Sequence, residues 1–158
     1  MMKGPMRVYA DTSVFGGTRD TIFKESSTAF LAQVRQGRFR LVASELVEKE
    51  LQSAPAPVRL VFEEFLPDME VVTESDSALL LQRAYLDAGV VTPNWADDAL
   101  HVALATVSEC SVIVSWNFQH IVNLKRIPLY NAVNMMRGYR PIEIRSPMEV
   151  LEYDDEVR

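Results

Sequence analysis

Four residues of this sequence carry side-chain oxygen atoms at points where a folded chain would bring them together: Asp11, Glu50, Asp98 and Asn117. Asp11 ends the apolar-leaning run Met6-Arg7-Val8-Tyr9-Ala10, and Asn117 follows Val112-Ile113-Val114-Ser115-Trp116. Both stand just past the carboxyl end of a predicted strand, where open parallel sheets build their sites. Glu50 lies four residues after Leu46 and three after Val47, so on a helix it shares their inward face, whereas Glu45 and Glu48 fall with Lys49 and Gln52 on the polar side. Asp98 opens Asp98-Ala99-Leu100-His101-Val102-Ala103-Leu104-Ala105, a segment apolar enough to be buried. An acid placed among apolar partners needs a reason, and a cation supplies one. Asp97 is available for the capping role at the start of that helix, which leaves Asp98 to face the site. Donors that are all hard oxygen suit Mg²⁺ or Mn²⁺ and not zinc.

Each of these residues also has a purely structural reading. Asp11 fits the cap of a turn with Thr12 and Ser13, Glu50 an exposed helix position if the face is off by one, and Asp98 a helix cap alone. Asn117 fits an Asx turn that bonds its own loop. His101, inside an apolar helix, reads as a hydrogen-bonded core residue, and His120 makes no metal-spacing motif with it.

The elements that must position these groups alternate between short apolar runs and helical patterns, the signature of an α/β domain with a largely parallel sheet. Strands are predicted at Met6–Ala10, Phe39–Ala43, Met69–Val72, Val112–Trp116 and Ile142–Arg145. A helix is expected from about Ser26 to Gln36, with Ser26 or Ser27 as N-cap and Gly37 as its stop. Ser44 caps the helix of Leu46, Val47 and Leu51, and Pro55 and Pro57 precede a short helix holding Val61, Phe62 and Phe65. Ser75 opens a helix closed near Gly89, and Asp97–Ser108 forms the next. His120–Leu124 reads as a short helix and Leu129–Arg137 as a longer one. Tyr130 and Tyr139 are assigned to packing and hydrogen bonding.

At 158 residues the chain is most simply one domain. No apolar run approaches the ~20 residues that span a bilayer, and the apolar run within residues 1–13 is too short for a signal peptide. A single cysteine, Cys110, forms no internal disulfide and suits a reducing cytoplasm; it reads as a buried core thiol. The net charge of −6 argues against a broad basic nucleic-acid surface, although a bound metal ion supplies local positive charge to a nuclease. The acidic end Glu152–Glu156 reads as a solvated tail.

The segments Tyr9–Phe15, Ser44–Leu51, Asp97–Ala105 and Val112–Asn117, in this order, resemble the PIN-domain family and within it the VapC-like ribonuclease toxins of bacterial toxin–antitoxin pairs. The resemblance spans roughly residues 6–120. It implies a three-layer α/β/α fold around a central, mostly parallel sheet of about five strands, with a single domain over residues 1–150 and a tail over 151–158. It makes Asp11, Glu50 and Asp98 the metal-binding acids and Thr12 and Ser13 the residues that orient the first carboxylate or its water. Asp97 and Ser115 are secondary candidates. Asn117 holds the fourth catalytic position, which in the family is normally Asp; an amide keeps an oxygen donor but brings no charge, so one firmly held ion is expected. The implied partners are an RNA substrate, a cognate antitoxin and a second copy of the chain in a homodimer, without membrane contact.

The chemistry expected is metal-dependent hydrolysis of an RNA phosphodiester without a covalent nucleophile on the protein. Arg19, Lys24, Lys125 and Arg126 are candidates for steering the phosphate backbone. A PIN-like domain that binds RNA or a protein partner without cutting is the alternative, favoured by Asn117. A phosphatase or phosphotransferase of the haloacid-dehalogenase type requires an acid two residues after the first, and Ser13 stands there.

Overall fold

A computed structural model describes residues 4–151. Five strands form one all-parallel sheet: β1 (Met6–Ala10), β2 (Phe39–Ser44), β3 (Met69–Val72), β4 (Val112–Val114) and β5 (Glu143–Arg145), in the order β3-β2-β1-β4-β5. Strands covered on both faces must be apolar throughout, and Val8, Tyr9, Ala10, Leu41, Val42, Ala43, Ile113 and Val114 are fully buried. The chain runs outward from β1 through β2 to β3, then returns to lay β4 against the other side of β1. That reversal opens a crevice at the carboxyl ends of β1 and β4, where Asp11 and Ser115 follow the strands.

Besides the helical residues 147–151, the described residues form α1 (Thr12–Gly17), α2 (Lys24–Arg35), α3 (Glu45–Leu51), α4 (Ala56–Phe65), α5 (Asp76–Asp87), α6 (Ala96–Val107) and α7 (Arg126–Met136), which flank the sheet. α1 packs on α2, α3 and α4, while α5 packs on α6 and α7. Right-handed crossovers produce this division, because connections made on the outward run and on the return cover opposite faces. None of the described helices is long and apolar enough to cross a membrane.

The anticipated caps at Ser44 and Ser75 are present, accepting the backbone N–H groups of Val47 and Ala78 at 3.3 and 3.2 Å. Gly37 ends α2 with φ +84°, a conformation in which a Cβ is strained. Cys110 is buried, and burial pushes its thiol up to about 12.

Several boundaries differ from expectation, each for a local reason. Helix α1 was not expected; it is a short helix of 6 residues, begun when the Asp11 carbonyl accepts the Val14 N–H at 3.2 Å. α2 starts at Lys24, ahead of both serines expected to cap it, and Ser27 is buried within it, accepting the Trp116 indole N–H at 2.7 Å. β4 stops at Val114 and not at Trp116, because the Ser115 hydroxyl accepts the Asn117 N–H at 2.9 Å and turns the chain. Residues 120–124 form turns where a helix was expected. α7 begins three residues early: the Asn123 carboxamide oxygen accepts the N–H groups of Lys125 and Arg126, and Pro128 falls in the first turn, where its missing N–H leaves no bond unmade. Tyr130 is fully buried and donates to the His120 carbonyl at 2.9 Å. Residues 147–151 are helical, and the rest of the anticipated tail, 152–158, lies outside the described residues.

Where α1 meets α2, only glycine fits. A Cβ on Gly17 would stand 2.5 Å from Ser27 Oγ and 2.7 Å from Trp116 Nε1, the two atoms of the hydrogen bond that ties α2 to the loop after β4. Gly17→Ala is expected to destabilise the fold by about 1–3 kcal/mol through overpacking. Denaturant unfolding measures this, and a loss near zero would show that the contact relaxes freely.

Candidate functional site

The crevice is built around Asp11. Its backbone N–H donates to the Val114 carbonyl at 3.2 Å, which fixes the residue between β1 and β4. Its side chain is 4% exposed, and burial raises the pKa of its carboxyl, with repulsion from Glu50 adding to that; the nearby His101 charge and the hydroxyls of Ser13 and Ser115 work the other way. Ser13 donates to Oδ1 at 2.6 Å and Ser115 to Oδ2 at 2.7 Å. Both hydroxyls are themselves directed. Ser13 Oγ accepts the Trp116 N–H at 2.8 Å, and Ser115 Oγ accepts the Asn117 N–H. Two consecutive backbone amides thus act through two serines on the two oxygens of one carboxylate. An oxygen that accepts a backbone N–H turns its own proton elsewhere, here to Asp11.

Glu50 sits on the face of α3 that its spacing predicted, half-buried, with Glu45, Glu48 and Lys49 exposed. Thr12 donates to Glu50 Oε1 at 2.5 Å, and His101 Nε2–H donates to the same oxygen at 2.7 Å. Burial favours the neutral carboxyl, but the His101 hydrogen bond and charge outweigh it, with Thr12 and Lys49 assisting, and hold the Glu50 pKa below its usual range. His101 is buried inside α6, and burial opposes its charge; the Glu50 hydrogen bond and the charges of Asp11, Glu50 and Asp98 prevail and raise its pKa. Its Nδ1 meets the Tyr9 hydroxyl at 2.8 Å, which in turn bonds the Ser44 hydroxyl at 2.7 Å. The imidazole is therefore the core hydrogen-bonding residue anticipated, and it also fixes one oxygen of Glu50.

Asp98 is half-buried in the first turn of α6, whereas Asp97 is exposed. Asp98 makes no cap; its Oδ2 lies 3.0 Å from Nδ1 of His120, which is 5% exposed. This pairing was not legible in the sequence, since the two residues stand on α6 and on the turn after β4. Asn117 takes the turn-forming alternative. Its Oδ1 accepts the N–H groups of His120 at 2.9 Å and Gln119 at 3.2 Å, which shapes the loop that delivers His120. With that oxygen directed into its own loop, Asn117 has a structural task and is a poor candidate for an ion ligand.

Among the described residues no three His, Cys, Asp or Glu side chains stand together as a ready-made metal cage. The donor chemistry still fits a hard cation. Glu50 Oε2 and Asp98 Oδ1 have no bonded partner among the described residues, and Asp11 and Glu50 repel one another. Mg²⁺ in particular keeps several waters and needs only one or two carboxylates. Of the cations expected to steer a backbone, Lys125 and Arg126 follow the His120 turn. Arg19 and Lys24 line a groove of ≈590 Å³ with Leu31, Arg35 and Phe65, and none of the three acids lines it.

No family model and no curated protein sequence matches this chain. Solved structures do match in fold. VapBC2 from Rickettsia felis, bound to a DNA fragment from its promoter, aligns with a TM-score of 0.58 at 15% identity, covering 89% of this chain and 98% of that one. FitAcB from Neisseria gonorrhoeae aligns with a TM-score of 0.57 at 13% identity, covering 89% and 98%. FitAB bound to an IR36 DNA fragment gives 0.57 at 11% identity, covering 89% and 94%. This likeness and the five-stranded parallel sheet establish a PIN-like fold.

The support of Asp11 makes a pH-dependent prediction. Its folded pKa lies above the unfolded value, so ionising it costs stability as pH rises through that interval. Ser115→Ala removes one hydroxyl that favours the ionised form and also orphans the Asn117 N–H. The expected loss is about 1–3 kcal/mol at neutral pH. It should shrink as pH falls and Asp11 becomes protonated. Urea unfolding of wild type and variant across that range measures the difference, and a pH-independent loss would mean that Ser115 supports only the loop.

Proposed function

We propose that this protein is a metal-dependent ribonuclease acting as the toxin of a toxin–antitoxin pair. The observation that carries the reading is the buried Asp11 carboxylate, aimed by Ser13 and Ser115 at the carboxyl ends of β1 and β4, with Glu50, bonded to His101, near enough to repel it. The PIN-like fold supports it, as do the fold neighbours, which are complexes of toxins with their antitoxins.

In this reading Asp11, Asp98 and Glu50 hold Mg²⁺ or Mn²⁺, directly or through water. A bound ion of this kind lowers the pKa of a water and neutralises charge developing on a phosphoryl group. The chain's own groups provide the orientation. The two serine relays favour the ionised form of Asp11 against its burial and aim its oxygens. Thr12 and His101 fix one oxygen of Glu50 and leave Oε2 to face the phosphate or orient a water. His120 fixes one oxygen of Asp98 and leaves Oδ1 open. No side chain forms a covalent bond to the substrate. The partners that go with this function are RNA, an antitoxin whose basic segment enters the acidic crevice, and a second copy of the chain.

A second reading, binding of RNA or a protein without cleavage, is favoured by Asn117, which brings no charge to the fourth position and turns its oxygen into its own loop. One experiment separates the two. Mn²⁺ and Mg²⁺ are titrated calorimetrically into wild type, Asp98→Asn, His120→Ala and Asn117→Asp, and each is assayed on single-stranded RNA with metal or EDTA. The nuclease reading expects wild type to take one ion and to cut RNA only with metal. Asp98→Asn should lose the ion, and His120→Ala should weaken it by about 10–100-fold, the usual cost of removing a residue that orients a ligand. A wild type that is inert, with an ion or activity gained in Asn117→Asp, would reject cleavage in favour of binding.

A further inference from the structure

The rim of the crevice carries an exposed aromatic ring on a rigid mount. Trp95 ends the 3₁₀ turn Pro93–Trp95 and precedes α6, three residues ahead of Asp98. Its ring stacks on that of His120, with centroids 4.2 Å apart and planes 23° from parallel. The His120 ring nitrogen meets the Asp98 carboxylate, its backbone N–H donates to the Asn117 carboxamide oxygen, and the residue is buried. One face of the indole is thus covered by an imidazole bonded to Asp98, yet Trp95 remains 46% exposed, so its open area lies on the other face and edge. A large apolar ring in water at that exposure, pinned beside an acidic crevice, is a platform lacking an occupant.

The surrounding charge indicates which occupant. Lys125 and Arg126 follow the His120 turn by five and six residues, and Arg126 lies one helical turn before Tyr130, whose hydroxyl bonds the His120 carbonyl. Lys125 is exposed, and the buried Nε of Arg126 has no hydrogen-bond partner. A flat ring stacked on a turn that leads into two cations suits a flat base carried on a phosphate chain. Each base has a π-face, so such stacking tolerates any sequence. A base within a duplex offers no free face, which restricts the platform to unpaired nucleotides.

We propose that Trp95 is the stacking platform for an unpaired nucleobase of single-stranded RNA lying next to the phosphodiester held at the acids, with Lys125 and Arg126 meeting its backbone. The proposal deepens the ribonuclease reading and rests on it for the choice of RNA. Trp95 binds substrate in this scheme and takes no part in the chemistry.

The test is binding without cleavage. A mixed-sequence six-nucleotide single-stranded RNA and an abasic sugar–phosphate hexamer are titrated into wild type, Trp95→Ala and Trp95→Phe in EDTA at low salt. Affinity is read from the anisotropy of a label on the hexamer, and tryptophan emission is followed in parallel. Trp116, the other tryptophan, is buried with its N–H bonded to Ser27, so quenching by a stacked base reports on Trp95. Wild type should prefer the base-bearing hexamer about tenfold and show quenching with it alone. Trp95→Ala should lose the preference, and Trp95→Phe should keep most of it. A wild type that binds both hexamers equally, or a preference that survives in Trp95→Ala, overturns the proposal. A preference that depends on Trp95, in a protein that cleaves no RNA with Mg²⁺ or Mn²⁺, retains the platform and removes the nuclease reading instead.

Discussion

The structure depends on keeping one carboxylate buried between two strands. Asp11 is almost wholly removed from water, where an ion without compensation is costly enough to be neutralised or expelled. The compensation comes from the chain leaving β4: the amides of Trp116 and Asn117 orient Ser13 and Ser115, and these orient their protons onto Asp11. This arrangement requires the end of β4 to lie beside the end of β1, which is what the strand order provides. It also explains why β4 is short. If the strand continued to Trp116, the Asn117 N–H would leave Ser115 and the second serine would lose its direction.

His101 joins this centre to the rest of the core. It donates to Glu50 from one nitrogen and meets the Tyr9 hydroxyl at the other, and Tyr9 leads through Ser44 to the first turn of α3, the helix that carries Glu50. The end of β2 at Ser44, strand β1 and helix α6 are thereby fixed relative to each other by polar contacts inside an apolar core. A network of this kind tolerates little misplacement, since a broken link leaves a buried group without a partner. Glu50 and Asp98 are each held by one oxygen and keep the other open, an order suited to a hard cation that keeps much of its water.

The loop after β4 serves both ends of the crevice. Trp116 points back to Ser27 and stacks on Phe23, which fastens α2, while Asn117 turns the chain so that His120 reaches Asp98 and supports Trp95. Gly17 is required where this loop meets α1. Twelve residues of sequence, Val112 to Asn123, thus bear on the orientation of two acids and on an exposed ring.

Much of this was determined by the sequence alone. Apolar runs separated by helical patterns specified an α/β fold with a parallel sheet, because a doubly covered strand must be apolar whatever surrounds it. The spacing of Glu50 from Leu46 and Val47 placed it on an inward face, and Asp11 and Asp98 stood out as acids among apolar neighbours. Helix periodicity and strand ends are local properties, so they survive without knowledge of the partners. Tertiary structure alone decided what those acids touch. The serine relays pair Ser13 with Trp116 and Ser115 with Asp11 across about a hundred residues, and His120 meets Asp98 from a different element. Asn117 illustrates the boundary: its sequence allowed either a ligand or an Asx turn, and the choice followed from where the His120 and Gln119 amides came to lie. Trp95 showed nothing in one dimension, because a tryptophan becomes a platform only when a second ring, far along the chain, covers one of its faces.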